Sequence, residues 1–181
     1  DIPVYTNANY PYPIDPPYVP DANPCGVYQK TFEINTEWFQ RQTYIVFEGV
    51  CSCITVYING EFVGYSQASH MQTEFNISKF VNKGSNVITA IVHKWCSGSY
   101  LEDQDFFRLN GIFRDVYLLS REKDHIKDIT VKADCKNISV SCDNYEIFDM
   151  DGNKANLDNP TLWNAENPYL YTVVVKGDTE Y

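Results

Sequence analysis

From residue 26 onward the apolar positions fall in short runs with polar residues between them, at 27–34, 43–47, 54–58, 62–65, 87–92 and 116–119. Several of these runs alternate with a period of two, which places successive side chains on opposite faces of a strand. The spacing of three and four that marks an amphipathic helix is almost absent. Asn59-Gly60 separates Ile54-Thr55-Val56-Tyr57-Ile58 from Glu61-Phe62-Val63-Gly64-Tyr65. Asn-Gly adopts the positive φ of a type I′ turn cheaply, so this segment is expected to be a β-hairpin. A second glycine turn, Lys83-Gly84-Ser85-Asn86, precedes another strand. Many short strands with glycine and proline punctuation predict a two-sheet β-sandwich, which we read as a jelly roll over residues 27–123.

The segment before it, residues 1–26, holds Pro3, Pro11, Pro13, Pro16, Pro17, Pro20 and Pro24, seven of the nine prolines in the chain. Proline fixes φ and removes a backbone donor, so this segment can be neither a helix nor a central strand. Its interleaved Tyr5, Tyr10, Tyr12 and Tyr18 are too many large rings for a solvated linker, and an arm docked on the sandwich is expected. After the charged break Arg121-Glu122-Lys123-Asp124, further strands are expected near 126–133, 138–142, 145–150 and 170–176. Only 58 residues run from Asp124 to Tyr181, whereas a complete immunoglobulin-like sandwich takes about 100 residues and seven strands. Residues 124–181 are therefore expected to form a small, incomplete sandwich with an exposed apolar face that favours self-association or lowers solubility.

The composition narrows the choice of partner. With 181 residues and 44% hydrophobic positions the chain can fill a sizeable core. A formal net charge of −10 with no run of Lys or Arg disfavours nucleic acid and anionic membrane surfaces. No apolar stretch approaches the roughly 20 residues of a membrane-spanning helix. Asp1-Ile2-Pro3 does not open a signal peptide, and a start without Met suggests processing or a piece of a longer protein. The six cysteines (Cys25, Cys51, Cys53, Cys96, Cys135, Cys142) include no C-x-x-C pair, and with three histidines a structural zinc site is not expected. Cys51 and Cys53, flanking Ser52, should share one face of a strand as reduced, buried thiols. The sequons at Asn76 and Asn137 are read as chance. His70, His93 and His125 show no ligand spacing and no nucleophile partner.

Candidate chemistry is densest at Tyr100-Leu101-Glu102-Asp103-Gln104-Asp105-Phe106-Phe107-Arg108, with three carboxylates in four positions beside aromatic rings. In an extended segment Asp103 and Asp105 face one side, about 6 to 7 Å apart, with Glu102 and Gln104 on the other. Three readings stay open on spacing alone. The acids could simply pair with Arg108 and Arg114, they could bind sugar hydroxyls or a hard cation, or they could be a glycosidase pair. The load of 14 Tyr, 10 Phe and 3 Trp suits sugar stacking as well as a sandwich core, and Trp38 and Trp95 are expected to pack against the sheets.

Several motifs resemble one family. Ser99-Tyr100-Leu101-Glu102-Asp103-Gln104-Asp105, followed by Gly111-Ile112-Phe113-Arg114-Asp115-Val116, resembles the sugar-binding domain of family 2 β-galactosidases. Tyr5-Thr6-Asn7-Ala8-Asn9-Tyr10-Pro11, Pro16-Pro17-Tyr18-Val19-Pro20 and Asn23-Pro24 are similar to that family's entry arm. Asn159-Pro160-Thr161-Leu162-Trp163-Asn164-Ala165-Glu166-Asn167-Pro168-Tyr169-Leu170-Tyr171 resembles the signature of its second, immunoglobulin-like domain. Two departures stand out: Phe107 occupies a place where tryptophan is common, and residues 145–159 are too short for all the strands of the second domain.

The resemblance implies an N-terminal, non-catalytic part of a β-galactosidase acting on galactosides such as lactose. Asn7 would reach the galactosyl site, with Ala8 contributing shape beside it. Asp105 would contact the sugar and help ligate a sodium ion that bridges to the 6-hydroxyl. Asp103 is the secondary candidate, as a further sodium ligand or as a brace for Asp105. The catalytic glutamates and a magnesium site would belong to a following (β/α)₈ barrel of about 250 residues, so no catalytic residue is expected in this chain and alone it should not hydrolyse a glycosidic bond. A cytoplasmic homo-oligomer is the expected setting, and the alternative is a stand-alone carbohydrate-binding or interaction module of the same fold.

Overall fold

The structure is a computed structural model that describes residues 3–7, 9–102, 105–135 and 137–177. The chain divides into two compact units, Asp1–Arg121 and Glu122–Tyr181. The described secondary structure is almost all β.

In the first unit the strands are β1 (Val4–Thr6), β2 (Cys25–Ile34), β3 (Gln42–Phe47), β4 (Cys53–Ile58), β5 (Glu61–Ser66), β6 (Thr73–Asn76), β7 (Gly84–His93), β8 (Phe106–Arg108) and β9 (Val116–Arg121). Two sheets form the sandwich, ordered β2-β7-β4-β5 and β6-β3-β9, and their pairings are antiparallel. Between them lies a core of Ile34, Ile45, Phe47, Val50, Ile54, Val56, Ile58, Ile77, Val81, Ala90 and Val92. Alternation along β4 and β7 turns one side of each strand into that core, which is the period-two pattern of the sequence. The jelly-roll expectation thus describes the observed architecture.

The Asn59-Gly60 turn forms as the sequence predicts, with positive φ at both residues, 52° and 86°. Asn59 also ties the hairpin to β7: its backbone N–H donates to the Val87 carbonyl at 2.8 Å, and its side-chain oxygen accepts from the Val87 N–H at 2.9 Å. Gly64 is needed for a different reason. A Cβ there would lie 2.6 Å from the Phe75 ring, which packs edge-to-face on Phe47.

Some local expectations are corrected. Ser52 does not continue a strand between Cys51 and Cys53; it turns the chain with φ 64°, and β4 starts only at Cys53. Both cysteines are nevertheless buried, whereas Cys25 and Cys135 are exposed. A helix of five residues, α1 (Thr36–Gln40), interrupts the β pattern; the Asn35 side chain caps it by accepting from Trp38 N–H at 2.8 Å. The short strands β1, β6 and β8 were not marked by the alternation, since three or four residues are too few to establish a period.

In the second unit the described strands are β10 (Val131–Ala133), β11 (Ile138–Val140), β12 (Tyr145–Phe148) and β13 (Thr172–Val175). They pair as two antiparallel ribbons, β10-β11 and β12-β13. The first of them is shorter than the expected 126–133, because residues 126–130 form no ladder. An apolar groove of about 350 Å³ is lined by Val131, Ile138, Leu157, Leu162, Trp163 and Val173, among others. Four strands fall short of the seven of a complete sandwich.

Phe47, 1% exposed at the centre of the first unit's core, sets the stability test. Phe47→Ala should lower the unfolding free energy by about 3–5 kcal/mol, read as a lower denaturant midpoint with an unchanged slope. Gly64→Ala should also destabilise, by displacing the Phe75 ring.

Candidate functional site

The site is assembled where the arm meets the segment from Ser97 to Arg108. β1 pairs with β8 in antiparallel register, Val4 with Arg108, Tyr5 with Phe107 and Thr6 with Phe106. The ladder ends at Thr6 and Phe106, and the two candidate sugar-binding residues, Asn7 and Asp105, are the residues that follow and precede it at that end of the ribbon. The Tyr5 and Phe107 rings meet edge-to-face with centroids 5.6 Å apart.

Tyr5 links the two candidates. Its hydroxyl donates to Asp105 Oδ1, and the Asn7 side-chain amide acts on the same hydroxyl in the opposite sense. The hydrogen bond to the Asp105 carboxylate raises the Tyr5 phenol above its usual value of 10.0, with desolvation and the carboxylate's charge acting in the same direction and the Asn7 amide opposing them. Asn7, Asp105 and Tyr5 are all exposed, so a ligand can reach them.

Residues Ser97–Leu101 make a 3-10 turn, Asp105 takes a left-handed φ of 56°, and strand β8 begins at Phe106. Aspartate tolerates this conformation better than most residues, and it directs Asp105 out of the ladder. Asp103, like Ala8 and Gln104, lies outside the described residues. Glu102 accepts from the Ser69 hydroxyl at 2.8 Å.

The two arginines brace backbone. Arg108 donates to the carbonyls of Ser99 at 3.0 Å and Glu102 at 3.2 Å, and its guanidinium lies over the Trp95 ring at 5.5 Å. Arg114 donates to the carbonyls of Glu48 at 3.3 Å and His70 at 3.1 Å. The His70 ring packs on Phe106 and Phe113.

The arm is anchored by its tyrosines. Tyr12, 8% exposed, packs edge-to-face on Trp95 at 4.8 Å and on Tyr100 at 5.4 Å. The Tyr10 hydroxyl donates to the Tyr100 carbonyl. The Tyr100 hydroxyl donates to the Tyr18 carbonyl at 2.6 Å and accepts from Asp15 N–H at 3.1 Å. Asn23 holds the Trp95 backbone from both sides, each bond 2.9 Å. Sequence reasoning singled out Asn7 and Asp105 but missed Tyr5 and Tyr100. The signal for Tyr5 was its place two residues before Asn7 in an extended arm.

The pattern described as "Glycosyl hydrolases family 2, sugar binding domain" matches residues 1–122, and "Glycosyl hydrolases family 2" matches residues 116–180. The chain belongs to glycosyl hydrolase family 2. It is 41% identical to a β-galactosidase of Actinobacillus pleuropneumoniae over 94% of its own length, and 40% identical to one of Staphylococcus xylosus over 97%. It spans 19% and 20% of those two proteins. Among solved structures, the Bacteroides uniformis β-glucuronidase is similar in fold, with TM-score 0.65 and 20% identity over 83% of this chain and 24% of that one. A β-glucuronidase from an uncultured Clostridium sp. gives TM-score 0.59 and 20% identity over 86% of this chain and 33% of that one. The glycosyl hydrolase chain thus has its sugar-binding-domain match over the unit that carries Asn7 and Asp105.

The Tyr5 contact predicts a pH response. A phenol whose folded value is raised favours the folded ribbon below the unfolded value near 10.0, and that contribution is lost as pH rises through the raised folded value. Tyrosine-ring NMR titration should show Tyr5 ionising later than a free phenol, and Asp105→Asn should bring its midpoint down.

Proposed function

We propose that this chain is an N-terminal, non-catalytic portion of a β-galactosidase of the lactose type, supplying Asn7 and Asp105 to a galactoside site that the rest of the polypeptide completes. The observation that supports the reading is the hydrogen bond from the Tyr5 hydroxyl of β1 to the Asp105 carboxylate at the exposed end of the β1-β8 ribbon, with Asn7 two residues after Tyr5. An amide both donates and accepts, and a carboxylate accepts through two oxygens, so together they match the donor and acceptor pattern of adjacent sugar hydroxyls. The names of the relatives at 40% and 41% identity support galactosides over glucuronides as substrate.

Tyr5 occupies Oδ1 of Asp105, and a carboxylate has further lone pairs for a hard monovalent cation such as sodium. Asp105 would be this chain's ligand to that ion, which would draw a sugar hydroxyl oxygen toward the carboxylate. Asp105 would then be one ligand of a partial site whose other ligands come from elsewhere in the polypeptide. Asp103 stays a secondary candidate. The catalytic carboxylates and a magnesium site would lie in a following barrel, the chain's partner within the same polypeptide, and a cytoplasmic homo-oligomer is the proposed setting.

Calorimetric titration of the chain with galactose and lactose in sodium buffer, beside Asn7→Ala and Asp105→Ala, tests the reading. A composite site predicts millimolar binding or none, because most hydrogen-bond partners of the sugar are supplied by other parts of the protein. Binding tighter than about 100 μM that both substitutions abolish would instead establish a self-sufficient carbohydrate-binding module.

A further inference from the structure

Arg108 is 3% exposed yet carries a permanent charge, and an ionised group is stable inside a protein only where specific partners hold it. Its Nη2 donates to two carbonyls of the chain that leads to Asp105, Ser99 at 3.0 Å and Glu102 at 3.2 Å. The guanidinium lies over the Trp95 ring at 5.5 Å. The arm fixes that tryptophan in turn, with Asn23 on its backbone and Tyr12 on its ring.

The two carbonyls belong to a stretch that is anchored independently. The Ser99 hydroxyl accepts from Cys96 N–H at 3.0 Å and lies 3.0 Å from the Ser52 hydroxyl, and the Glu102 carboxylate accepts from Ser69 at 2.8 Å. Arg108 is also the last residue of β8, opposite Val4 of β1. One side chain thus ties the chain before Asp105 to the strand after it. Asp105 stands three residues from Glu102 and three from Arg108, so little chain is left on either side through which it could shift. Its left-handed φ of 56° is a conformation that persists where the surrounding structure holds it.

We propose that Arg108 is a positioning residue for Asp105: by joining the Ser99 and Glu102 carbonyls to β8, it closes the loop that presents the Asp105 carboxylate to the Tyr5 hydroxyl. Its bearing on a galactoside rests on the reading of Asp105 as a sugar-contacting residue. Arg108, being buried, acts on the ligand through Asp105 and not by contact.

The test follows the Tyr5 phenol by tyrosine-ring NMR titration in Arg108→Met, which keeps an apolar stem beside Trp95 and removes both hydrogen bonds. Two variants run beside it: Asp105→Asn, and Val56→Ala, which weakens the buried core of the sandwich. Removing a cation makes a phenol harder to ionise and raises its midpoint, whereas withdrawing the Asp105 carboxylate lowers it, so loss of charge and loss of position have opposite signs. In Arg108→Met the Tyr5 midpoint should fall most of the way to its value in Asp105→Asn, with the ring contacts between Tyr5 and Phe107 preserved and the midpoint in Val56→Ala unmoved. An unmoved or raised midpoint in Arg108→Met, or an equal fall in Val56→Ala, would overturn the proposal. So would loss of the Tyr5–Phe107 contacts, because Arg108 would then act by holding the ladder and not the loop. If circular dichroism shows that Arg108→Met does not fold, Arg108→Gln, polar but too short to reach both carbonyls, is titrated with the same outcomes expected. No sugar enters this titration, so failure here is separate from failure of the galactoside reading, which calorimetry decides.

Discussion

The arrangement of the site depends on how a proline-rich arm, which cannot build a regular ladder of its own, is held against the 97–108 segment. Proline leaves the arm few backbone donors, so tyrosine side chains do the holding. Tyr12 fills the space between Trp95 and Tyr100, and the Tyr10 and Tyr100 hydroxyls bond across to the opposite backbone. With the arm fixed in this way three residues of it pair with β8, and Tyr5 of that pairing bonds the Asp105 carboxylate just beyond the end of the ladder. A slip of one residue would turn Asn7 to the other face.

The sandwich supplies the rigid base. The β2-β7 ladder ends at Cys25 and His93, and the arm and the 3-10 turn leave from those two neighbouring ends. The Lys94 N–H donates to the Pro24 carbonyl at 3.0 Å, and Asn23 clamps Trp95, so the two departing segments begin already bound to each other. Burial in the core below fixes the ladder, the ladder fixes the two exits, and the aromatic cluster carries that order outward to Asn7 and Asp105.

Much of this was legible in the sequence. The Asn59-Gly60 hairpin and the strands of the main sheets could be read from alternation and turn chemistry, because burial on one face imposes a period of two. The arm's tyrosines pointed to docking by their number. The site residues came from motif resemblance, whereas the relation between them did not. β1 and β8 are three residues long and sit 102 positions apart, counted between their first residues Val4 and Phe106. Such a ladder leaves no periodic trace. The left-handed φ of 56° at Asp105 likewise has no counterpart in a local pattern.

The central claim is the register of the β1-β8 ribbon, and interstrand nuclear Overhauser effects of the isotope-labelled chain test it most directly. The account predicts backbone contacts linking Val4 with Arg108 and Thr6 with Phe106, together with ring contacts between Tyr5 and Phe107. Contacts displaced by one residue, or none between the arm and 106–108, would contradict it and separate Asn7 from Asp105.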